Sequence, residues 1–285
     1  MYSFRLKYFQ ILGFIAIGFI SSCQRNNKCD LVLRNGLIID GTGEPAYTGD
    51  IAINADTIVA IGNLWRYSGK KEIDIDGLAV APGFINMLSW ADSYLLKDGR
   101  SMSDIKQGVT LEIFGEGWSP GPRMASKKDQ RWQTLGEYLD FAESQGVTPN
   151  IASFVGATTI RKYVLNSDNR APTDIELAKM KDLVREAMEE GAMGLGSSLI
   201  YAPADFAKTD ELIELAKVAS SFGGMYITHL RSESDYIQSA LSEAFKIAHE
   251  ANIATEIYHL KINHARNWNK IDTVISRIDS ARNAG

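Results

Sequence analysis

The sequence predicts an α/β fold: a (β/α)8 TIM-like barrel of which about six βα units are present, preceded by a small N-terminal β-sandwich part. Three observations carry this. Near-continuous apolar runs recur after residue 80, as in parallel strands covered on both faces. Segments of helical spacing separate them, two opening with capping-box sequences. The few metal-ligating side chains then fall where those apolar runs end. Composition agrees, since the 285 residues are 45% hydrophobic and 23% charged, ordinary for a packed globular chain. A net charge of −5 without a basic stripe argues against a nucleic-acid partner.

The N-terminus reads as an address. Arg5 and Lys7 precede an apolar run over 8–20 that is shorter than a membrane-spanning helix requires. Residues 1–22 are therefore expected to be a signal peptide. The run ends Ile20-Ser-Ser-Cys23, which resembles the lipobox of bacterial lipoproteins, and that resemblance implies lipidation of Cys23. With Gln24 rather than Asp next, it further implies a bacterial cell-envelope location, lipid-anchored on the periplasmic face of the outer membrane. An ordinary cleaved signal or an uncleaved anchor is the alternative. Cys29 is left as a bystander thiol, and the two cysteines support no disulfide framework.

A tether and the small β part occupy 23–81. The run 30–34 alternates and meets Asn35-Gly36, a tight-turn signal. Runs over 50–54 and 57–61 flank a second turn at Ala55-Asp56. The apolar surface here is too small for an independent core.

The barrel segment, 82–285, is expected to place strands at 81–88, 109–116, 150–155, 192–198, 225–231 and 254–261. Thr134-x-x-Glu137 and Thr173-x-x-Glu176 mark helix starts. After Thr173, residues Leu177, Met180, Val184, Ala187 and Met188 keep helical spacing until Gly191 stops the helix. A closed barrel needs eight units, so about two are missing. The last helix, near 271–282, runs into Asn283-Ala284-Gly285, a stop that should lead to another strand. The sequence is thus expected to be C-terminally truncated.

Chemistry in such barrels sits at the carboxyl ends of strands. His229 and His259 terminate consecutive strands, and Glu116 terminates an earlier one between Gly115 and Gly117. Two imidazoles and a carboxylate suit Zn²⁺ with a fourth position open to water. Helix capping is the alternative for Glu116. Of the other histidines, His249 sits near a helix end, suited to the dipole, and His264 lies in a loop away from any strand end. Arg231 and Lys261 each follow a histidine by two, so strand alternation points them to the ligand's side, where they could bind a substrate carboxylate or form salt bridges. Ser198 and Tyr201 would line the pocket or merely pack. No nucleophile elbow, phosphate loop or dinucleotide fingerprint is present.

Three segments now point to a family. Asp30-Leu-Val-Leu-Arg-Asn-Gly36, Ile39-Asp-Gly-Thr-Gly43 and Val80-Ala-Pro-Gly-Phe-Ile85 resemble the amidohydrolase superfamily, specifically its D-aminoacylase (N-acyl-D-amino-acid deacylase) family. Gln107-Gly-Val-Thr110, Tyr226-Ile-Thr-His-Leu-Arg231 and Glu256-Ile-Tyr-His-Leu-Lys261 extend the likeness. The resemblance implies a barrel with a small β-sandwich, and metal-assisted hydrolysis of linear amide bonds in N-acylated D-amino acids. Two departures stand out. Where the family closes its first barrel strand with His-x-His, this chain has Leu88-Ser89-Trp90; where D-aminoacylases carry a cysteine ligand, it has Glu116. The surviving set, Glu116, His229 and His259, is similar to the single-metal arrangement of N-acetylglucosamine-6-phosphate deacetylases, so one Zn²⁺ per chain is expected. The superfamily's catalytic Asp would end the eighth strand, beyond residue 285. Two alternatives stay open: a truncated, non-catalytic lipoprotein acting as a binding module, and an amidohydrolase acting on dipeptides or cyclic amides.

Overall fold

A computed structural model describes residues 27–124 and 131–285. The signal segment and Cys23 lie outside the described residues. The chain divides into two compact units, 1–82 and 83–285.

The described part of the first unit is one mixed sheet. It comprises β1 (Asn27–Ile38), β2 (Tyr47–Asn54), β3 (Thr57–Gly62), β4 (Tyr67–Asp74) and β5 (Ala79–Val80). Their order is β3-β2-β1-β4, with β5 also on β1; β1 is antiparallel to β2 and parallel to β4 and β5. The turn at Ala55-Asp56 joins β2 to β3 as expected. Asn35-Gly36 does not make a turn. β1 runs through it with a register irregularity, Asn35 taking a left-handed φ of 61°. The cause is tertiary: Asp50 on β2 accepts from the Asn35 backbone N–H and from Arg34, and Asp74 on β4 accepts from the Asn35 amide. Pairing on both flanks outweighs the local turn preference, leaving a bulge. Cys29 is buried with Val32, Ala52 and Leu64 in this unit's small core.

The second unit is a run of parallel strands in sequence order. β6 (Phe84–Asn86), β7 (Val109–Phe114) and β8 (Asn150–Ser153) form one sheet. β9 (Val155–Gly156), β10 (Gly194–Ser198), β11 (Met225–His229) and β12 (Thr255–Ile257) form the next. The single run expected at 150–155 is thus split at Phe154, whose N–H reaches across to the Phe114 carbonyl. Six barrel positions result, as the apolar runs implied. The strand expected at 81–88 shrinks to β6 because Pro82 lacks a ladder donor, and the last one shrinks to three residues before turning at His259. Helices α1 (Asp92–Leu95) and α2 (Met102–Ile105) follow β6, and α3 (Leu135–Ser144) follows β7. Then come α4 (Ala157–Leu165), α5 (Asp174–Glu189), α6 (Thr209–Ser221), α7 (Ile237–Ala251) and α8 (Ile271–Ala284).

Alternation along β11 shows how the layers form. Tyr226 packs outward into the core shared by α4, α5, α6 and α7, whereas Ile227 packs inward with Ile113, Phe154 and Tyr258. Period two then brings His229 to the inner side. On α5 the apolar stripe Met180, Val184, Ala187 and Met188 is buried against the sheet, each large side chain contributing roughly 1.5–3 kcal/mol. Both capping boxes form as predicted, Thr134 with Glu137 and Thr173 with Glu176. Among the described residues no helix is long and apolar enough to cross a membrane.

The second capping box has a pH signature. Arg170, together with the Thr173 backbone and hydroxyl, holds the Glu176 carboxyl down to about 2. A folded value below the ordinary 4.5 means Glu176 adds stability above that pH and loses it as pH falls through about 2. Urea midpoints of the protein and its Glu176→Gln variant should therefore differ at pH 6 and converge near pH 2. Equal midpoints at pH 6 would remove Glu176 from the cap's energetics.

Candidate metal centre

Glu116 is aimed by a backbone that only glycine permits. Gly115 and Gly117 hold φ values of 107° and 77°. A Cβ at Gly115 would sit 2.4 Å from the Phe154 carbonyl oxygen, and one at Gly117 would sit 2.7 Å from the Ser198 Cβ. The turn therefore presses against β9 and β10 and drives the Glu116 side chain inward, where it is only 6% exposed.

His229 closes β11 in register with Ser198 of β10 and is 4% exposed. His259 lies two residues past β12 with a left-handed φ of 29°, a conformation that costs a non-glycine residue roughly 1–2 kcal/mol. The turn swings its ring edge-on against that of His229, with centroids 4.5 Å apart. Glu116 Oε1 then lies 3.0 Å from His229 Nδ1 and 3.2 Å from His259 Nε2. The Trp90 indole N–H donates to the other oxygen, Oε2, at 3.0 Å. Burial pushes the Glu116 carboxyl up, but the bonds from His229, His259 and Trp90 outweigh it and leave it below its ordinary value. This carboxylate is held in its ligand form.

The donor set suits a small divalent cation. One atom each from Glu116, His229 and His259 lies within 4.8 Å of the others. Ligands about 2.0–2.2 Å from a tetrahedral zinc stand roughly 3.4 Å apart, close to the 3.0 and 3.2 Å that separate Glu116 Oε1 from the two imidazole nitrogens.

The remaining predicted residues divide. Lys261 donates to Glu233 at 2.6 Å and reaches His259 Nδ1 at 2.8 Å. Tyr201 is 57% exposed and stands edge-on to His229, with centroids 5.3 Å apart. Ser198 is buried beside them at the end of β10. Arg231 is committed elsewhere: its guanidinium donates two hydrogen bonds to the Glu243 carboxylate in a bidentate salt bridge and also donates to the Asp205 and Ala207 carbonyls. A substrate-carboxylate role for Arg231 gives way to the salt bridge. The strand ends at His229, so alternation no longer aims residue 231, and Glu243 on α7 captures it. His249 is exposed in the last turn of α7, and His264 is exposed in a loop.

Sequence reasoning missed Glu233. It is 4% exposed, with Oε1 lying 3.3 Å from His229 Nε2 and 3.2 Å from His259 Nδ1. The run Ser232-Glu-Ser-Asp235 reads as a solvated loop; the one usable signal was a carboxylate four positions after a strand-end histidine.

Parallel barrel strands whose carboxyl ends bring two imidazoles and a carboxylate together define a (β/α)8-type scaffold with a candidate metal centre at its catalytic end. No family model matches the chain. It is 35% identical to a D-aminoacylase of Alcaligenes xylosoxydans xylosoxydans, over 88% of this chain and 54% of that protein. Among solved structures, an N-acyl-D-glutamate deacylase from Bordetella bronchiseptica, complexed with zinc and a phosphonate inhibitor, superposes with a TM-score of 0.82. Identity there is 29%, covering 91% of this chain and 57% of that one. A D-aminoacylase with a binuclear metal centre, described as activated by one metal and attenuated by the second, superposes at 0.80. Identity in that case is 30%, covering 89% and 56% of the two chains. The chain is thus a homologue of the D-aminoacylases and N-acyl-D-aspartate and N-acyl-D-glutamate deacylases, at 30–35% identity over 87–90% of its length. It spans about half the length of the curated relatives it matches.

Proposed function

We propose that the protein hydrolyses the linear amide bond of N-acyl-D-amino acids at a single zinc ion held by Glu116, His229 and His259. The observation that carries this is the convergence of Glu116 Oε1, His229 Nδ1 and His259 Nε2 at the mouth of the barrel. When bound there, zinc supplies a Lewis acid that polarises a carbonyl and brings the pKa of water toward neutrality. Lys261, whose side chain is 45% exposed, offers an ammonium to the substrate carboxylate. Tyr201 and Ser198 form the wall beside His229. No residue of this chain is assigned to proton transfer.

A single metal is supported by the neighbourhood of Glu116. Leu88 and Trp90 offer no ligand atom where the family has His-x-His. The indole also takes Oε2, leaving one oxygen free to coordinate rather than two to bridge. Metal analysis after dialysis against zinc should give one equivalent per chain, and two would overturn the assignment. With zinc loaded, a form extended through the eighth barrel strand and its Asp is expected to turn over N-acyl-D-amino acids and not dipeptides or hydantoins; the reverse preference would move the protein to another amidohydrolase reaction. The pattern ending at Cys23 supports a lipid anchor in the cell envelope.

A further inference from the structure

Glu233 sits behind the proposed ligands, on the far side of both imidazoles. Each ring has two nitrogens, and the pair facing Glu116 consists of His229 Nδ1 and His259 Nε2. The opposite nitrogens, His229 Nε2 and His259 Nδ1, both face one oxygen of Glu233, at 3.3 and 3.2 Å. Two faces could in principle receive a cation, and Lys261 decides between them. Its ammonium is 2.6 Å from that Glu233 oxygen and 2.8 Å from His259 Nδ1, so the Glu233 face already carries a positive charge. Among the described residues no lysine or arginine is bonded to the Glu116 carboxylate, whose partners are the two imidazoles and the Trp90 indole. His229 Nε2 is buried without a hydrogen-bond partner of good geometry, and Glu233 is the acidic group beside it.

We infer that Glu233 is a positioning residue, a single buried carboxylate that fixes the orientation and tautomer of both ligand imidazoles and restrains Lys261. This rests on the metal assignment above. A ligand imidazole that binds through one nitrogen keeps a proton on the other and must donate it; a carboxylate there sets the ring's orientation and raises its basicity. Binding through His259 Nε2 leaves Nδ1 a donor. Lys261 can only donate, so it cannot stay hydrogen-bonded to that nitrogen. Glu233 is the group that receives the proton, and Lys261 keeps its bond to Glu233 alone. One carboxylate therefore couples metal occupancy to the hydrogen bonds of the lysine that faces substrate.

The test uses the full chain labelled with ¹⁵N, titrated with zinc under chelator competition, and compares it with Glu233→Gln. Removal of such an outer carboxylate is expected to weaken zinc binding 10–100-fold, with one equivalent still taken up. In zinc-loaded protein, long-range ¹H–¹⁵N spectra should show one protonated nitrogen in each of two rings, Nε2 of His229 and Nδ1 of His259. Glu233→Gln should broaden or shift those two signals and leave His249 and His264 unchanged, an effect that a general loosening of the fold would not confine to two rings. If Glu233→Gln does not fold, Glu233→Asp, which keeps the charge and withdraws the oxygen, serves in the same comparison. Unchanged affinity and unchanged imidazole signals would overturn the positioning role alone. A protein that takes up no zinc even with Glu233 intact would overturn the metal assignment and the positioning role together.

Discussion

Alanine in place of His259 is expected to lower zinc affinity by about a thousandfold and to abolish amide hydrolysis with it. The size follows from dividing roughly 12 kcal/mol of zinc binding among three protein ligands, about 4 kcal/mol each. Glu116→Ala should do the same, and the double variant should lose little more activity than either single change, because the three ligands work as a unit. His259 stands past the end of a strand with its side chain 31% exposed, so the thermal transition of the metal-free protein should move little. Competition with a chromophoric chelator reads the affinity, and circular dichroism confirms the fold. Zinc retained at wild-type affinity in His259→Ala would remove this residue from the centre.

The largest stability effect is expected at Arg161. It lies on α4, is 1% exposed, and forms an ion pair with Glu211 on α6 while donating to the Asp168 and Arg170 carbonyls. Burial pushes the Glu211 carboxyl up, and the attraction of Arg161 only partly offsets it. A buried pair of this kind is costly to halve rather than strongly stabilising, because removing one partner leaves the other charge uncompensated. Arg161→Ala should cost roughly 3–5 kcal/mol in urea unfolding, because it leaves a buried carboxylate unpaired and two carbonyls without a donor. Arg161→Met combined with Glu211→Leu should recover most of that loss. A double variant as unstable as the single one would show that the bonds to the loop carbonyls, not the charge pair, are what Arg161 supplies.

What the sequence made visible follows the range of the interactions involved. The capping boxes at Thr134 and Thr173 close within three residues, and the buried strands are written as apolar runs, so both could be read locally. The convergence of Glu116, His229 and His259 could be anticipated because barrel topology brings strand ends together whatever their separation. Three features could not be. The continuation of β1 through Asn35-Gly36 depends on Asp50 and Asp74, which lie on other strands. The loss of Arg231 to Glu243 depends on how α7 packs over the strand end. Glu233 lies in a loop of four polar residues, and nothing local distinguishes a carboxylate that turns inward from one that stays in water.

The turn around Glu116 has a consequence for how such centres diversify. Its shape is set by the chain itself, by two glycines pressed onto the Phe154 carbonyl and the Ser198 Cβ, and not by the side chain it presents. Residue 116 therefore occupies a socket whose walls do not change with the plug. A thiolate there would soften the donor set, and a shorter carboxylate would pull it back, with no rebuilding of the surrounding barrel. Metal preference can drift by exchange at one position while the scaffold stays still.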